Sequence, residues 1–257
     1  MPPCAAFGRE HRRVLRRDGD QEAPAGDGGT RILNGILREL EENADPAYRS
    51  FASSLIPGEE RILGVRLPVL RKMSRRICRG DWRSFLDSGP GTSFEHTMLR
   101  GMVISGARMG IAERTERIWG FLPEVTNWSV CDSFSWKIPA EERGEAWMFL
   151  MRCLDTGREF HMRFAVVTMM FQFLDEEHID LVLETAASRR SEGHYYKTGV
   201  AWCLSCCYIR FPGRTADLLR GDRLDDSTRR LAIRKITESR RVTDADRAFV
   251  RGLRRSS

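Results

Sequence analysis

Residues 141–173 read EERGEAWMFLMRCLDTGREFHMRFAVVTMMFQF. Two apolar-rich segments, 141–154 and 158–173, each have the length and pattern of a helix, and only three residues separate them. So short a connection makes the two an antiparallel pair. A second pair, with helices expected at 176–186 and 194–211, follows at once. Each pair takes about 35 residues, within the range of helical repeats. No residue motif repeats cleanly, so the repeat rests on helix lengths.

The pattern extends both ways. Downstream, helices are expected at 214–220, 227–240 and 244–253. Upstream they are expected at 126–137, 112–121 and, after a Gly/Pro/Ser loop at 88–92, at 93–108. Pro68 suits a first helical turn leading through Leu70, Met73 and Ile77, and Asp81 is a candidate N-cap for the next segment. A short helix is expected at 48–55. Ile32, Leu33, Ile36, Leu37 and Leu40 have helical spacing and are stopped by Asn43-Ala44-Asp45-Pro46. No alternation of apolar and polar residues is long enough for a strand. The expectation is an all-α chain: an α-solenoid of HEAT-like antiparallel helix pairs whose concave, basic face is the binding surface. Residues 1–30 hold an arginine cluster (Arg9, Arg12, Arg13, Arg16, Arg17) and a Gly-rich acidic run with little to bury. They read as a disordered extension, leaving 31–257 as one domain.

With 257 residues, 41% apolar and 30% charged, the composition is that of a packed globular protein. No stretch of some twenty apolar residues predicts a membrane span, and no apolar leader opens the chain. Seven cysteines without a spaced framework fit reduced thiols and a cytoplasmic setting. The net charge of +6 is uneven: residues 189–257 carry 17 Lys/Arg against 8 Asp/Glu. A basic C-terminal third points to a polyanion, or to a solvated arginine-rich surface.

Three segments could carry chemistry. In 127–137, NWSVCDSFSWK, helical spacing puts Trp128, Asp132 and Trp136 on one face. A carboxylate between indoles needs something to satisfy it. Arg163 lies in the apolar run FHMRFAVV (160–167), where a charge needs a partner. Trp202 follows Gly199 and Ala201, small enough to admit another chain. The alternative is structural: core indoles, and an Asp132–Arg163 bridge. Cys203, Cys206 and Cys207 lack a second ligand pair at zinc spacing, so no metal is expected, and on a helix they read as buried apolar residues. His194 suits either a phosphate contact or a helix start. No GxSxG, Walker A, GxGxxG or HExxH motif is present. No lysine is placed beside Asp132 by sequence, so Schiff-base chemistry is not expected.

Taken in order, Leu63-Gly64-Val65-Arg66-Leu67-Pro68 with Arg71, Asn127-Trp128 with Asp132-Ser133, Arg163-Phe164-Ala165-Val166, Lys197 with Ala201-Trp202, and Ala232-Ile233-Arg234-Lys235-Ile236 resemble the DNA alkylation repair family, the HEAT-like-repeat DNA glycosylases. The likeness runs from about residue 31 to 253. It implies removal, without a cofactor, of bases made cationic by alkylation, such as N3-methyladenine and N7-methylguanine, from double-stranded DNA. It further implies Asp132 as the catalytic carboxylate, Trp128 and Trp202 as indoles against the sugar–phosphate backbone, and Arg163 on a phosphate. DNA contacts fall to Arg163, Lys197, Tyr195, Arg229, Arg234 and Lys235. A monomer with an open groove is expected. Family members can carry an aromatic at the position of Asn127. A catalytically weak or inactive protein that recognises damaged or branched DNA is the alternative, and a protein-interaction solenoid a third.

Overall fold

The computed structural model describes residues 27–253. The disordered extension expected over 1–30, with its arginine cluster, lies almost wholly outside them. Helices run α1 Asp27–Glu42, α2 Pro46–Leu55, α3 Leu67–Ile77, α4 Trp82–Asp87, α5 Phe94–Gly106, α6 Ile111–Phe121 and α7 Trp128–Ser133. They continue as α8 Arg143–Asp155, α9 Glu159–Gln172, α10 Ile179–Ser188, α11 His194–Arg210, α12 Pro212–Arg220, α13 Asp226–Glu238 and α14 Asp244–Gly252. Among the described residues there is no strand, and no helix is long and apolar enough to cross a membrane. The all-α expectation holds. The first helix begins at Asp27, four residues before the expected start.

Neighbour order is regular. α3 packs on α5, α5 on α7, α7 on α9, α9 on α11 and α11 on α13, so the odd-numbered helices from α3 to α13 form one continuous row. Of the others, α6 packs on α8 and α10 on α12, and α4, α6, α8, α10 and α12 each touch a member of the row. α9 is buried without interruption from His161 to Met170. A helix covered all round shows apolar residues all round, and therefore little amphipathic periodicity.

Capping is largely by short side chains. Asp45, Asp81, Ser93, Asn127, Asp225 and Thr243 each accept a backbone N–H in the first turn of the next helix. Buried arginines satisfy carbonyls left open at helix ends. Arg114 of α6 donates to Ile104, Ser105 and Ala107 at the end of α5. Arg229 of α13 donates to Leu219 in the last turn of α12 and to Leu224 beyond it. The 63–68 signature is a junction of the same kind. Glu95 of α5, 1% exposed, accepts the N–H groups of Leu63, Gly64 and Val65. Gly64 has φ +94°, and a Cβ there would lie 2.4 Å from the Asp45 carbonyl. Arg66 closes the corner on Asp45 at 2.8 Å.

One expected helix is cut short. α7 ends at Ser133 instead of continuing to residue 137. Phe134 leaves the helix in an extended conformation and packs edge-on to Phe164 at 5.2 Å. Trp136 follows it into the core, 2% exposed, against Phe149. Burying two aromatics is worth about 2–3 kcal/mol each. Another helical hydrogen bond nets only about 1 kcal/mol, so burial wins. The shared helical face of Trp128, Asp132 and Trp136 therefore does not form: Trp136 is a core residue, although it borders the same cavity as Asp132.

Candidate active site

Asp132 sits in the last turn of α7, and Arg163 one turn into α9, the next helix of the row. Arg163 Nε donates to Asp132 Oδ1 at 2.9 Å and Nη2 to Oδ2 at 2.6 Å, a bidentate pair. Arg163 Nη1 reaches across to α11, donating to the Tyr195 carbonyl at 2.6 Å and to Thr198 Oγ1 at 3.2 Å. Three successive helices of the row are thus joined at one guanidinium. Gly199 makes the crossing possible: a Cβ there would meet Arg163 Cγ at 3.3 Å and Nη1 at 3.4 Å. Its smallness admits a side chain of the same protein, where the sequence suggested space for another chain. One turn before Arg163, Glu159 accepts the N–H groups of Tyr195 and Tyr196, binding the start of α11. A negative charge at a helix N-terminus is favourable there.

Four of the five guanidinium N–H groups are occupied, and the Arg163 side chain is 7% exposed. Most of the donor capacity that the family resemblance assigns to a phosphate is thus spent inside the protein, and one N–H remains. Asp132 differs: its side chain is 15% exposed, and it lines a cavity of about 290 Å³ together with Arg71, Ser133, Lys137, Phe171 and Gln172. Each carboxylate oxygen accepts one bond from Arg163 and keeps further acceptor capacity. The Asp–Arg bridge is real, but it does not seal the carboxylate.

The two indoles stand at different distances from this point. Trp128 donates its Nε1 hydrogen to the Leu55 carbonyl at 3.3 Å. It lines a separate, apolar pocket of about 80 Å³ between α2, α3, α5 and α7. Its ring is therefore turned away from the Asp132 cavity. Trp202 is part-buried on α11, one turn after Thr198, and meets Phe171 edge-on at 5.6 Å. Phe171 is 56% exposed and lines the Asp132 cavity, so Trp202 joins the site through it.

Of the expected DNA contacts, Tyr195 supplies its backbone carbonyl to Arg163 while its ring packs on Phe160 at 5.3 Å. Lys197 is paired with Glu192 at 2.8 Å, and that hydrogen bond holds its pKa above the ordinary lysine value. Arg234 and Lys235 are exposed on α13, both near Glu238. Arg229 is 2% exposed and bound to internal carbonyls; it holds the α12–α13 junction and cannot reach a phosphate. His194 is exposed at the start of α11, against the Tyr195 ring. Asn127, 5% exposed, is the N-cap of α7, accepting from Val130, which accounts for a small polar residue there.

Cys203 and Cys207 are buried and Cys206 part-buried, all unpaired. A hydrogen bond with Cys207, then burial, push the Cys203 thiol up, and burial does the same at Cys206. Such thiols are inert packing groups. Among the described residues, the one His/Cys/Asp/Glu group close enough to hold a metal is Asp175, Glu177 and His178, remote in sequence from Asp132. Arg143 already occupies its Asp175.

Three residues enter the site unannounced. Arg71 and Lys137 close quoted motifs but carried no assigned role, and the fold brings Lys137 to the carboxylate's cavity although sequence placed no lysine there. Phe171 is one more apolar residue in an apolar helix, and nothing in its sequence neighbourhood marks it as exposed.

Comparison with known proteins adds one finding. Neither the curated proteins nor the solved structures contain a match to this chain. A family model described as DNA alkylation repair enzyme matches residues 36–236, from the first core residue of α1 to the last of α13. With its fold, its ordered motifs and most of its length accounted for, the chain belongs to the DNA alkylation repair enzyme family: it is an enzyme of DNA repair, with DNA as its partner.

Proposed function

We propose that this protein is a monofunctional DNA glycosylase that hydrolyses the N-glycosidic bond of cationic alkylated purines, of the N3-methyladenine and N7-methylguanine type, in double-stranded DNA. The observation that carries the reading is a carboxylate held rigidly by a bidentate arginine and yet open to a cavity. A purine alkylated at N3 or N7 already bears a positive charge. It leaves without being protonated, so one carboxylate suffices where most glycoside hydrolases use two. As the bond to C1′ breaks, the sugar becomes oxocarbenium-like. Asp132 offsets that charge, and a free lone pair orients the water that adds to C1′. The base departs as a neutral purine and the water loses a proton.

Arg163 acts here as a positioning residue. It fixes the carboxylate's plane so that no reorganisation accompanies the reaction. Phe171 and Trp202 on the rim supply aromatic surface to the sugar or base. The row α3 to α13 suits a solenoid of stacked helix pairs. Arg234 and Lys235 would add sequence-independent phosphate contacts.

A second reading has one observation in its favour. Arg163 neutralises much of the charge of Asp132, which suits a protein that binds damaged or branched DNA without cutting the bond. A base-release assay on methylated duplex separates the two, with wild type beside Asp132→Asn. The glycosylase reading expects release to fall by about 10²–10³-fold or more, with duplex affinity kept within about threefold. Equal release by the two proteins would refute it.

A further inference from the structure

If Arg163 is occupied internally, the backbone beside the lesion needs another anchor. We infer that Arg71 and Lys137 form that anchor, a two-cation clamp on the phosphodiester next to the Asp132 cavity. The inference rests on DNA being the partner, and it goes beyond the proposed reaction by assigning the phosphate site to residues other than the buried arginine.

Three observations support it. Arg71, on α3, and Lys137, in the extended segment after α7, line the same cavity as Asp132 from different elements. Both are exposed, and among the described residues neither has an ion-pair partner; Arg66 and Arg76 are paired with carboxylates, and Lys72, Arg75 and Arg79, unpaired as well, do not line this cavity. Within the cavity the one carboxylate, Asp132, is already matched by Arg163. The cavity mouth therefore carries two uncompensated positive charges. Charge of that sign favours an anion in the mouth and disfavours deep entry of a cationic base. A phosphodiester seated there satisfies Arg71 by its planar fork and Lys137 by its ammonium. The adjoining sugar then faces Asp132, and the alkylated base lies outside the cavity.

Removal of an alignment so local has a distinctive readout. Each phosphate contact contributes about −0.9 to the slope of log K against log salt on duplex DNA. The Arg71→Ala/Lys137→Ala variant should lose between one and two units of that slope on an unmodified duplex, because one shared phosphate or two adjacent ones are released. The swap Arg71→Lys/Lys137→Arg should keep the wild-type slope. Both positions are exposed, and circular dichroism checks that the variants fold as wild type does. A wild-type slope in the double alanine variant would overturn the clamp. These measurements use DNA without a lesion. Failure of base release therefore leaves the clamp standing, and failure of the clamp leaves the base-release result standing.

Discussion

Replacing Arg163 by methionine tests whether the guanidinium organises the site. The side chain is 7% exposed and its partner Asp132 is 15% exposed, so neither charge has much water to fall back on. Methionine fills similar volume but leaves the carboxylate unpaired and removes the donors that satisfy the Tyr195 carbonyl and Thr198. Breaking a buried pair at one partner costs about 3–5 kcal/mol, because the charge left behind is uncompensated. Against a total stability of roughly 5–15 kcal/mol, that is a large fraction. For a domain of this size it corresponds to a fall in Tm of about 10 °C. Asp132→Asn strands the more buried charge of the two and should cost a similar ~2–4 kcal/mol, moderated because an amide oxygen can still accept one bond and Arg163 keeps its contacts to α11. In the double variant the stranded carboxylate is gone. The two losses should therefore fail to add by about 2 kcal/mol or more. Urea unfolding followed by circular dichroism, with m-values compared across the four proteins, measures this directly. If each single variant loses under 1 kcal/mol and the losses add, the pair is a solvated surface contact, and the preorganised carboxylate loses its basis.

Two further predictions concern stability. Gly64→Ala places a Cβ 2.4 Å from the Asp45 carbonyl at a φ of +94°, so it should destabilise by at least ~2 kcal/mol, as seen in a lowered urea midpoint; Gly58→Ala, at φ +88° with open space around it, should cost less, and equal losses would show that the close approach is irrelevant. Burial, reinforced by Arg100, lowers the pKa of His96 to about 4, while the unfolded chain titrates near 6.5. Its contribution is therefore complete above pH 6.5 and is lost as the pH falls toward 4; His161 is shifted the same way by burial and Arg158. Between pH 6.5 and 5, unfolding free energy should drop by roughly 1–2 kcal/mol, and His96→Gln should show a flatter profile; identical profiles would refute the assignment.

Helix content, the order of helices and the acid–base pair at the centre of the site are legible in the chain itself. These depend on local causes: apolar spacing, short turns, N-caps such as Asp45 and Asp81, and the cost of a charge such as Arg163 in an apolar run. What spacing alone misjudged was direction. It placed Trp136 on a face with Asp132, because nothing local reveals that Phe134 and Trp136 gain more by turning into the core between α6, α8 and α9. It offered Arg229 to DNA, because an arginine capping a neighbouring helix has the same sequence context as one facing solvent. It gave Gly199 to a visiting chain, when the group that needs the space is Arg163 from the same fold. Tertiary structure alone decided which cations remain free. Arg71 and Lys137 are separated by 66 positions, and the packing of α7 between α5 and α9 brings them to one cavity. Pairing between charges far apart in sequence depends on where helices cross, and that is settled by the packing of the whole row.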